Sequence, residues 1–106
     1  MINKKIFGLL GLSSKAGKIV FGTDACIEAI KRKKVSLVIV ANDSSERTKN
    51  NFNIICRQYD IPLYNFGTIE ELSNAIGKIN KAVIGVINKN FSRELKKLLN
   101  GGEVNG

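Results

Sequence analysis

The sequence contains no histidine and no tryptophan, and it has a single proline and two cysteines. Without histidine, acid–base catalysis would depend on carboxylates, lysines, tyrosines or cysteines. Cys26 and Cys56 form no Cys-x-x-Cys pair, so the sequence gives no sign of a zinc site. Both lie in segments of apolar residues at helical spacing, where we expect buried thiols in a reducing cytoplasm. We therefore predict that the protein holds no metal or cofactor and is not an enzyme.

Long apolar segments are also missing. Residues 1–12 superficially resemble a signal peptide, but the apolar run is short, it is interrupted by Gly8 and Gly11, and no small-residue cleavage site follows. No segment reaches the length that a membrane-spanning helix needs. We therefore expect a cytoplasmic protein that makes no contact with a membrane.

Acidic residues are scarce relative to basic ones. The chain has 9 aspartates and glutamates against 17 lysines and arginines, which gives a net charge of +8 in 106 residues. Such an excess favours polyanionic partners, because neutralised phosphates release their counterions. The alternative explanation is that the charge only keeps the protein soluble, and charge alone does not distinguish RNA from DNA.

The apolar residues that are present alternate between helical and strand periodicity. Helices are predicted at residues 3–14, from 22 to the basic run 31–34, at 48–59, at 68–76 and at 91–99, and strands at 18–21, 37–41, 63–66 and 82–87. The regular alternation favours an α/β fold in which a central four-stranded mixed sheet lies between helical layers, a three-layer α/β/α sandwich. We predict one domain over residues 1–100, a flexible tail at 101–106 and a monomer.

Local signals mark several helix ends. Asp43 with Glu46 forms a variant capping box, and Thr68 with Glu71 forms a regular one. Gly77 follows the helix that Thr68 begins, at the left-handed position that glycine favours.

A nucleotide-binding loop is suggested by residues 11–18 but is not supported. The P-loop motif places four residues between its glycines, whereas five separate Gly11 from Gly17. Ile19 stands where the motif needs a hydroxyl, and the run lies between a helix and a strand instead of the reverse. No dinucleotide-binding fingerprint follows a strand either.

Three basic, glycine-containing turns remain as candidate binding segments: residues 15–18, residues 22–24 with the cluster 31–34, and residues 77–81. Glycine lets the backbone approach phosphates closely, and helix N-termini offer free amide donors. Each turn alone is explained as a solvated loop, and the cluster 31–34 also suits a helix C-terminus. Together they predict RNA binding. Because few aromatic residues lie at these turns, structured RNA is a better target than an unpaired strand.

A resemblance to a known family is carried by five segments, which are residues 15–23, 29–30, 37–43, 61–64 and 71–78. They resemble the kink-turn-binding superfamily of ribosomal proteins of the L7Ae and L30e type, and within it the bacterial YlxQ branch. The resemblance extends over about residues 3–99. It implies an α/β/α sandwich that binds RNA through loops at one end, with ribosomal RNA as a candidate partner.

The resemblance also implies where RNA is bound and how this chain departs from the pattern. The family motif Gly-x-Asn-Glu-x-x-Lys corresponds to residues 22–28, where Gly22 is retained and Asp24, Ala25 and Glu28 replace the three polar residues. A carboxylate repels phosphate and cannot donate a hydrogen bond, so we expect RNA binding with altered or relaxed specificity. The second family segment corresponds to residues 77–83. The predicted RNA-binding residues are Lys15, Gly17, Lys18, Gly22, Thr23, Asp24, Lys31, Lys33, Gly77, Lys78 and Lys81.

Two other functions stay open at this point. The substitutions at Asp24, Ala25 and Glu28 are compatible with a protein-interaction module that has lost RNA binding. A small enzyme acting on RNA or nucleotides is opposed by the lack of histidine and of any cofactor fingerprint.

Overall fold

The computed structural model describes residues 2–101. The flexible tail predicted at 101–106 lies, apart from Gly101, outside the described residues. The helices are α1 (Ile2–Lys15), α2 (Thr23–Lys31), α3 (Glu46–Gln58), α4 (Ile69–Ala75) and α5 (Lys89–Leu99). The strands are β1 (Ile19–Phe21), β2 (Leu37–Val40), β3 (Leu63–Asn65) and β4 (Val83–Val86). The predicted order of helices and strands is confirmed, with boundaries that move by a few residues.

The strands form one four-stranded mixed sheet in the order β1-β4-β2-β3. The β4 strand pairs antiparallel with both β1 and β2, whereas β2 and β3 are parallel. Every residue of the two central strands, β2 and β4, is buried. Their uninterrupted apolar sequences are explained by this burial on both faces of the sheet.

Helices cover both faces of the sheet, so the three-layer α/β/α sandwich is confirmed. On one face α1, α4 and α5 pack through Ile6, Leu10, Leu72 and Leu95 against the sheet. On the other face α2 and α3 contribute the following buried residues: Cys26, Ala29, Ile30, Phe52 and Cys56. The two cores share the sheet, because alternate residues of each strand point to opposite faces.

Strand register defines two ends of the sandwich. Phe21 pairs with Ile84, Val40 with Val83 and Val40 with Asn65. The last residues of β1, β2 and β3 therefore lie at the same end of the sheet as the first residues of β4, and we call this the front end. At the other end, the back end, the first residues of β1 and β2, Ile19 and Leu37, both pair with Val86.

One capping prediction is confirmed and one is wrong. Thr68 and Glu71 form a full reciprocal capping box at the start of α4. The helix α3, by contrast, is capped by Ser45, whose hydroxyl accepts a hydrogen bond from the Thr48 N–H at 3.1 Å. The Asp43 carboxylate instead accepts from the Ile69 N–H at 2.8 Å. A contact between distant segments has replaced the local cap that the spacing suggested.

Candidate nucleic-acid interface

Gly22 joins β1 to α2 at the front end. Its φ of 90° and ψ of 155° lie in a region that is essentially restricted to glycine. The Gly22 N–H donates to the Val83 carbonyl at 3.0 Å, and the Gly22 carbonyl accepts from Cys26 at 3.1 Å. Because Gly22 is the N-cap residue and has no side chain, it leaves the first-turn amides of α2 accessible. These donors, with the positive end of the helix dipole, favour an anion.

The loop 77–81 lies beside Gly22 and is held by hydrogen bonds to α4. The Lys78 N–H donates to the Ser73 carbonyl at 2.8 Å, and the buried Ser73 hydroxyl accepts from the Lys81 N–H at 2.7 Å. Gly77 has a φ of 71° and Asn80 a φ of 58°, so two left-handed residues bend the loop back toward β4. The prediction that Gly77 ends its helix in the left-handed conformation is confirmed.

Lys78 and Lys81 converge on one aromatic ring. Their ammonium nitrogens lie 5.1 and 5.4 Å from the centroid of the Phe21 ring, within the range of a cation–π contact. Phe21 is half-buried and immediately precedes Gly22. Two positive charges are thereby held beside the accessible amides of α2. This arrangement is suited to gripping a phosphate backbone without reading bases.

Two further front-end residues were not among the predicted set. Phe21 was assigned only to a strand, although its position next to the retained glycine was a signal that it would lie at the site. Ile79, at the tip of the loop 77–81, has 86% of its surface exposed. An isoleucine between Lys78 and Asn80, in a loop and outside any apolar periodicity, was a second signal.

The β1 edge of the sheet carries Lys15, Gly17 and Lys18, which lie at different positions along it. The Ser14 hydroxyl donates to the Ile76 carbonyl at 3.3 Å, so the end of α1, where Lys15 follows, lies beside the end of α4. Gly17, with a φ of 69°, ends α1. The Lys18 carbonyl accepts from Ile87 at the back end. Lys18 is therefore about 10 Å along β1 from Phe21.

The residues that follow Gly22 are exposed on the first turns of α2. Thr23 and Asp24 are exposed, and Asp24 suits the positive end of the helix dipole. Glu28 forms an ion pair with Arg32 at 3.2 Å between two largely exposed side chains, so the pair adds little stability. Asp24 and Glu28 thus each place a carboxylate on the exposed surface of α2.

Lys31 and Lys33 are not brought to the front end. Lys31 is the last residue of α2, about 13 Å along the helix axis from its start. Lys33 lines a groove with Ser36 and Ile61, which precede β2 and β3 at the back end. The predicted set is therefore divided between the two ends of the sandwich.

Acidic residues reduce the positive charge of the front end. Asp43 and Glu70 line a shallow groove with Lys78. The Asp43 carboxylate is held by the Ile69 N–H and stays next to the loop 77–81. Lys78 and Lys81 are thus positioned cations in a surface of mixed charge.

Neither cysteine has the properties of a nucleophile. Burial raises the pKa of the Cys26 thiol to about 12 and that of the Cys56 thiol to about 11. Both are fully or almost fully buried, and the Cys26 thiol donates weakly to the Val20 carbonyl at 3.7 Å. The prediction that both thiols are core residues is confirmed. Within residues 2–101, no group of three potential metal ligands comes together.

The helices within residues 2–101 are between 7 and 14 residues long. None of these helices is long and apolar enough to cross a membrane.

This architecture is that of a small α/β/α sandwich in which a loop at one end positions two lysines. Residues 4–96 match the model of the Ribosomal protein L7Ae/L30e/S12e/Gadd45 family. The chain belongs to this family.

Individual relatives cover most of the chain. It is 34% identical over 98 residues to the RNA-binding protein YlxQ of Enterococcus faecium, across 92% of this chain and 94% of that one. It is 32% identical over 93 residues to the RNA-binding protein YlxQ of Bacillus subtilis, across 88% and 93%. A solved structure of a Bacillus halodurans protein of unknown function superposes with a TM-score of 0.88 at 35% identity, across 91% and 97%. The resemblance to a YlxQ-type member of the family is confirmed.

Proposed function

We propose that this protein binds structured RNA through its front end and performs no chemistry itself. The observation that carries the proposal is the convergence of Lys78 and Lys81 on the Phe21 ring, beside the accessible first turn of α2. Two relatives that cover most of the chain are named RNA-binding proteins, which supports the same conclusion.

The phosphate backbone is the part of RNA that these groups suit best. Lysine ammonium groups and helix N-terminal amides neutralise and bind phosphate, and they fix the position of a nucleic acid without reading its sequence. The loop that carries both lysines is anchored by Ser73, so little order has to be gained on binding. Affinity therefore comes mainly from charge, and it falls steeply as salt rises.

Ile79 adds an apolar contact next to these charges. Its side chain is 86% exposed at the tip of an anchored loop, where it has no role in the core. An unstacked base in a bulge or bend of RNA has an apolar face that such a side chain covers. The front end is therefore suited to RNA whose helix is interrupted.

The carboxylates of α2 reduce specificity for a kink-turn. Asp24 and Glu28 lie exposed along α2, where they accept hydrogen bonds but donate none, and where they repel phosphate. We propose relaxed specificity, in which bent or bulged RNA is bound with little dependence on its base sequence.

The test is a titration of three RNAs with three proteins. The RNAs are a kink-turn hairpin, a plain duplex and a fragment of ribosomal RNA. The proteins are the wild type, the front variant Lys78→Gln/Lys81→Gln and the control Lys4→Gln/Lys5→Gln, which removes the same charge from exposed lysines of α1.

The front variant is expected to bind the kink-turn hairpin about ten-fold more weakly and to lower the slope of log affinity against log salt by about 2. The control is expected to change the slope by less than half of that. Absence of binding to all three RNAs at low salt would contradict the proposal, as would equal behaviour of the front variant and the control.

A protein-interaction module is the second candidate function, and the acidic face of α2 favours it. Asp24 and Glu28 line a shallow groove with the half-buried Ile27 and with Lys31, and this mixture of apolar and charged side chains is compatible with a protein contact. Affinity capture from lysate with and without ribonuclease separates the two functions. Partners that persist after nuclease treatment and are lost in Asp24→Asn/Glu28→Gln would favour the module.

A further inference from the structure

A second group of positive charges lies at the back end of the sandwich. Lys89, Arg93 and Lys96 are exposed at positions i, i+4 and i+7 of α5, so they share one face of the helix. All three line one groove, together with Ser36 and Pro62 at the starts of β2 and β3. The groove therefore concentrates three cations that are four and three residues apart in sequence.

Neighbouring grooves extend this charge across the back end. Arg57, at the end of α3, lines a groove with Lys96 and Pro62. Lys33 lines the next groove with Ser36 and Ile61. We call the resulting surface the back surface, and its residues are Lys33, Arg57, Lys89, Arg93 and Lys96.

The back surface is more strongly positive than the front end. Asp60 is the one acidic residue that lines these three grooves in the described part of the chain. Glu94 forms an ion pair with Lys97, and neither of them lines these grooves. None of the three ion pairs found in residues 2–101 involves a cation of the back surface. At the front end, by contrast, Lys78 lies beside Asp43 and Glu70.

We propose that the back surface is a second binding site for RNA phosphates, which contacts an RNA arm that continues past the segment held at the front end. This inference rests on the proposed function. The molecule measures 34 Å along its longest axis, so both ends are within reach of one folded RNA. A surface on which five cations outnumber one carboxylate favours the binding of a phosphate backbone, because the neutralised phosphates release their counterions.

The chemistry of the back surface favours phosphate over a protein partner. Protein interfaces have an apolar centre surrounded by a polar rim. The large apolar side chains found exposed among the described residues are Leu12, Ile54 and Ile79, and none of them lines these grooves. The apolar residues that do line them, such as Tyr59 and Ile61, are at least half-buried. Contacts from lysine and arginine to phosphate position a nucleic acid without reading its sequence.

The experiment compares two RNAs that differ in one arm. One is a short kink-turn hairpin, and the other is the same hairpin with one arm extended by a continuous duplex. Affinity is measured across a salt series for the wild type, the back variant Arg93→Gln/Lys96→Gln, the front variant Lys78→Gln/Lys81→Gln and the control Lys4→Gln/Lys5→Gln. Each variant removes two positive charges, so general charge effects cancel between them.

The back variant is expected to weaken binding of the extended RNA about ten-fold and to lower its salt slope by about 2, while the short hairpin changes no more than in the control. Equal loss on the two RNAs, or a loss no larger than that of the control, would overturn the second site. Nuclease-resistant capture of a protein partner that is lost in the back variant, with RNA binding intact, would overturn it as well.

The two proposals fail in different ways. If the front variant binds the short hairpin like the wild type, the proposed function is contradicted at the front end. If the front variant loses the short hairpin and the back variant keeps the extended RNA, the front site stands and the second site is excluded.

Discussion

Ser73 holds both backbone polar groups of Lys81. Its hydroxyl accepts a hydrogen bond from the Lys81 N–H at 2.7 Å and donates one to the Lys81 carbonyl at 3.3 Å. Ser73 is buried in α4, eight residues before Lys81. A single buried hydroxyl thus connects the packed core to the loop that carries the cations of the front end.

Replacing Ser73 with alanine is expected to loosen this loop more than it harms the fold. The loss of hydrogen bonds to a partly buried N–H costs about 1–2 kcal/mol in unfolding free energy. RNA affinity should fall about three- to ten-fold, because the loop must then be ordered on binding. Urea unfolding and RNA titration measure the two effects.

The control for Ser73→Ala is Ser92→Ala. Ser92 is also a buried serine, and its hydroxyl is hydrogen-bonded to that of Ser36 at the back end. It should lose comparable stability and keep its affinity for a short hairpin. If the two variants bind that hairpin equally well, Ser73 has no role in the site beyond stability.

Gly22→Ala is expected to destabilise the protein through its backbone. At φ 90° and ψ 155°, a side chain costs about 1–3 kcal/mol, even though nothing lies within 4 Å of an added Cβ. Gly8→Ala is the matched control, because Gly8 is exposed inside α1 and an added Cβ there also meets nothing within 4 Å. It should stabilise by about 0.5–1 kcal/mol. Opposite shifts of the denaturation midpoint in the two variants would confirm that the backbone conformation at position 22 requires glycine. Shifts of the same sign would refute it.

Ile79→Ser is expected to weaken RNA binding and to leave stability unchanged. Ile79 is 86% exposed, so its replacement should change the unfolding free energy by less than about 0.5 kcal/mol. The control is Ile54→Ser on α3, where 64% of the side chain is exposed and no binding segment is near in sequence. A several-fold loss of affinity for a bulged hairpin in Ile79→Ser alone is the expected result. Equal affinities in the two variants would remove Ile79 from the site.

The buried thiols predict a loss of stability at alkaline pH. Burial raises the pKa of Cys26 to about 12 and that of Cys56 to about 11, from an ordinary value of 9.0. Above pH 9 the unfolded chain releases thiol protons that the folded chain retains. This ionisation stabilises the unfolded state relative to the folded state. This contribution to stability is complete below pH 9 and declines as pH rises toward 11–12.

Two measurements test the thiol prediction. Native protein at pH 8 should react with a thiol reagent only at the rate of unfolding, and urea should expose both cysteines. The melting temperature should also fall less steeply between pH 8 and pH 10 in Cys26→Ala/Cys56→Ala than in the wild type. Rapid labelling of the native protein would show that the thiols are accessible.

Most of the architecture could be predicted because it depends on local patterns. The uninterrupted apolar runs of β2 and β4 indicated central strands, and both are fully buried. Thr68 with Glu71 and Gly77 marked the two ends of α4, because capping and left-handed geometry involve residues only a few positions apart.

Asp43 shows where this reasoning fails. Its spacing from Glu46 matched a capping box, but Ser45 caps α3 and Asp43 binds the N–H of Ile69, 26 residues away. An N–H group at the start of α3 or the Ile69 N–H could each donate to this carboxylate. The tertiary arrangement, which brings the start of α4 next to Asp43, selects Ile69. The sequence contains no periodic signal for such a choice.

The charge, the α/β alternation and the basic turns follow from the amino-acid sequence, because composition and short-range periodicity are independent of how the layers pack. Which basic residues lie together depends on the packing of the layers. Lys78 and Lys81 lie over the Phe21 ring at the front end, whereas Lys33 lies at the back end. The sheet register and the lengths of β1 and α2 set the distances between these residues. The predicted interface was one set of residues in the sequence, and in three dimensions it is two.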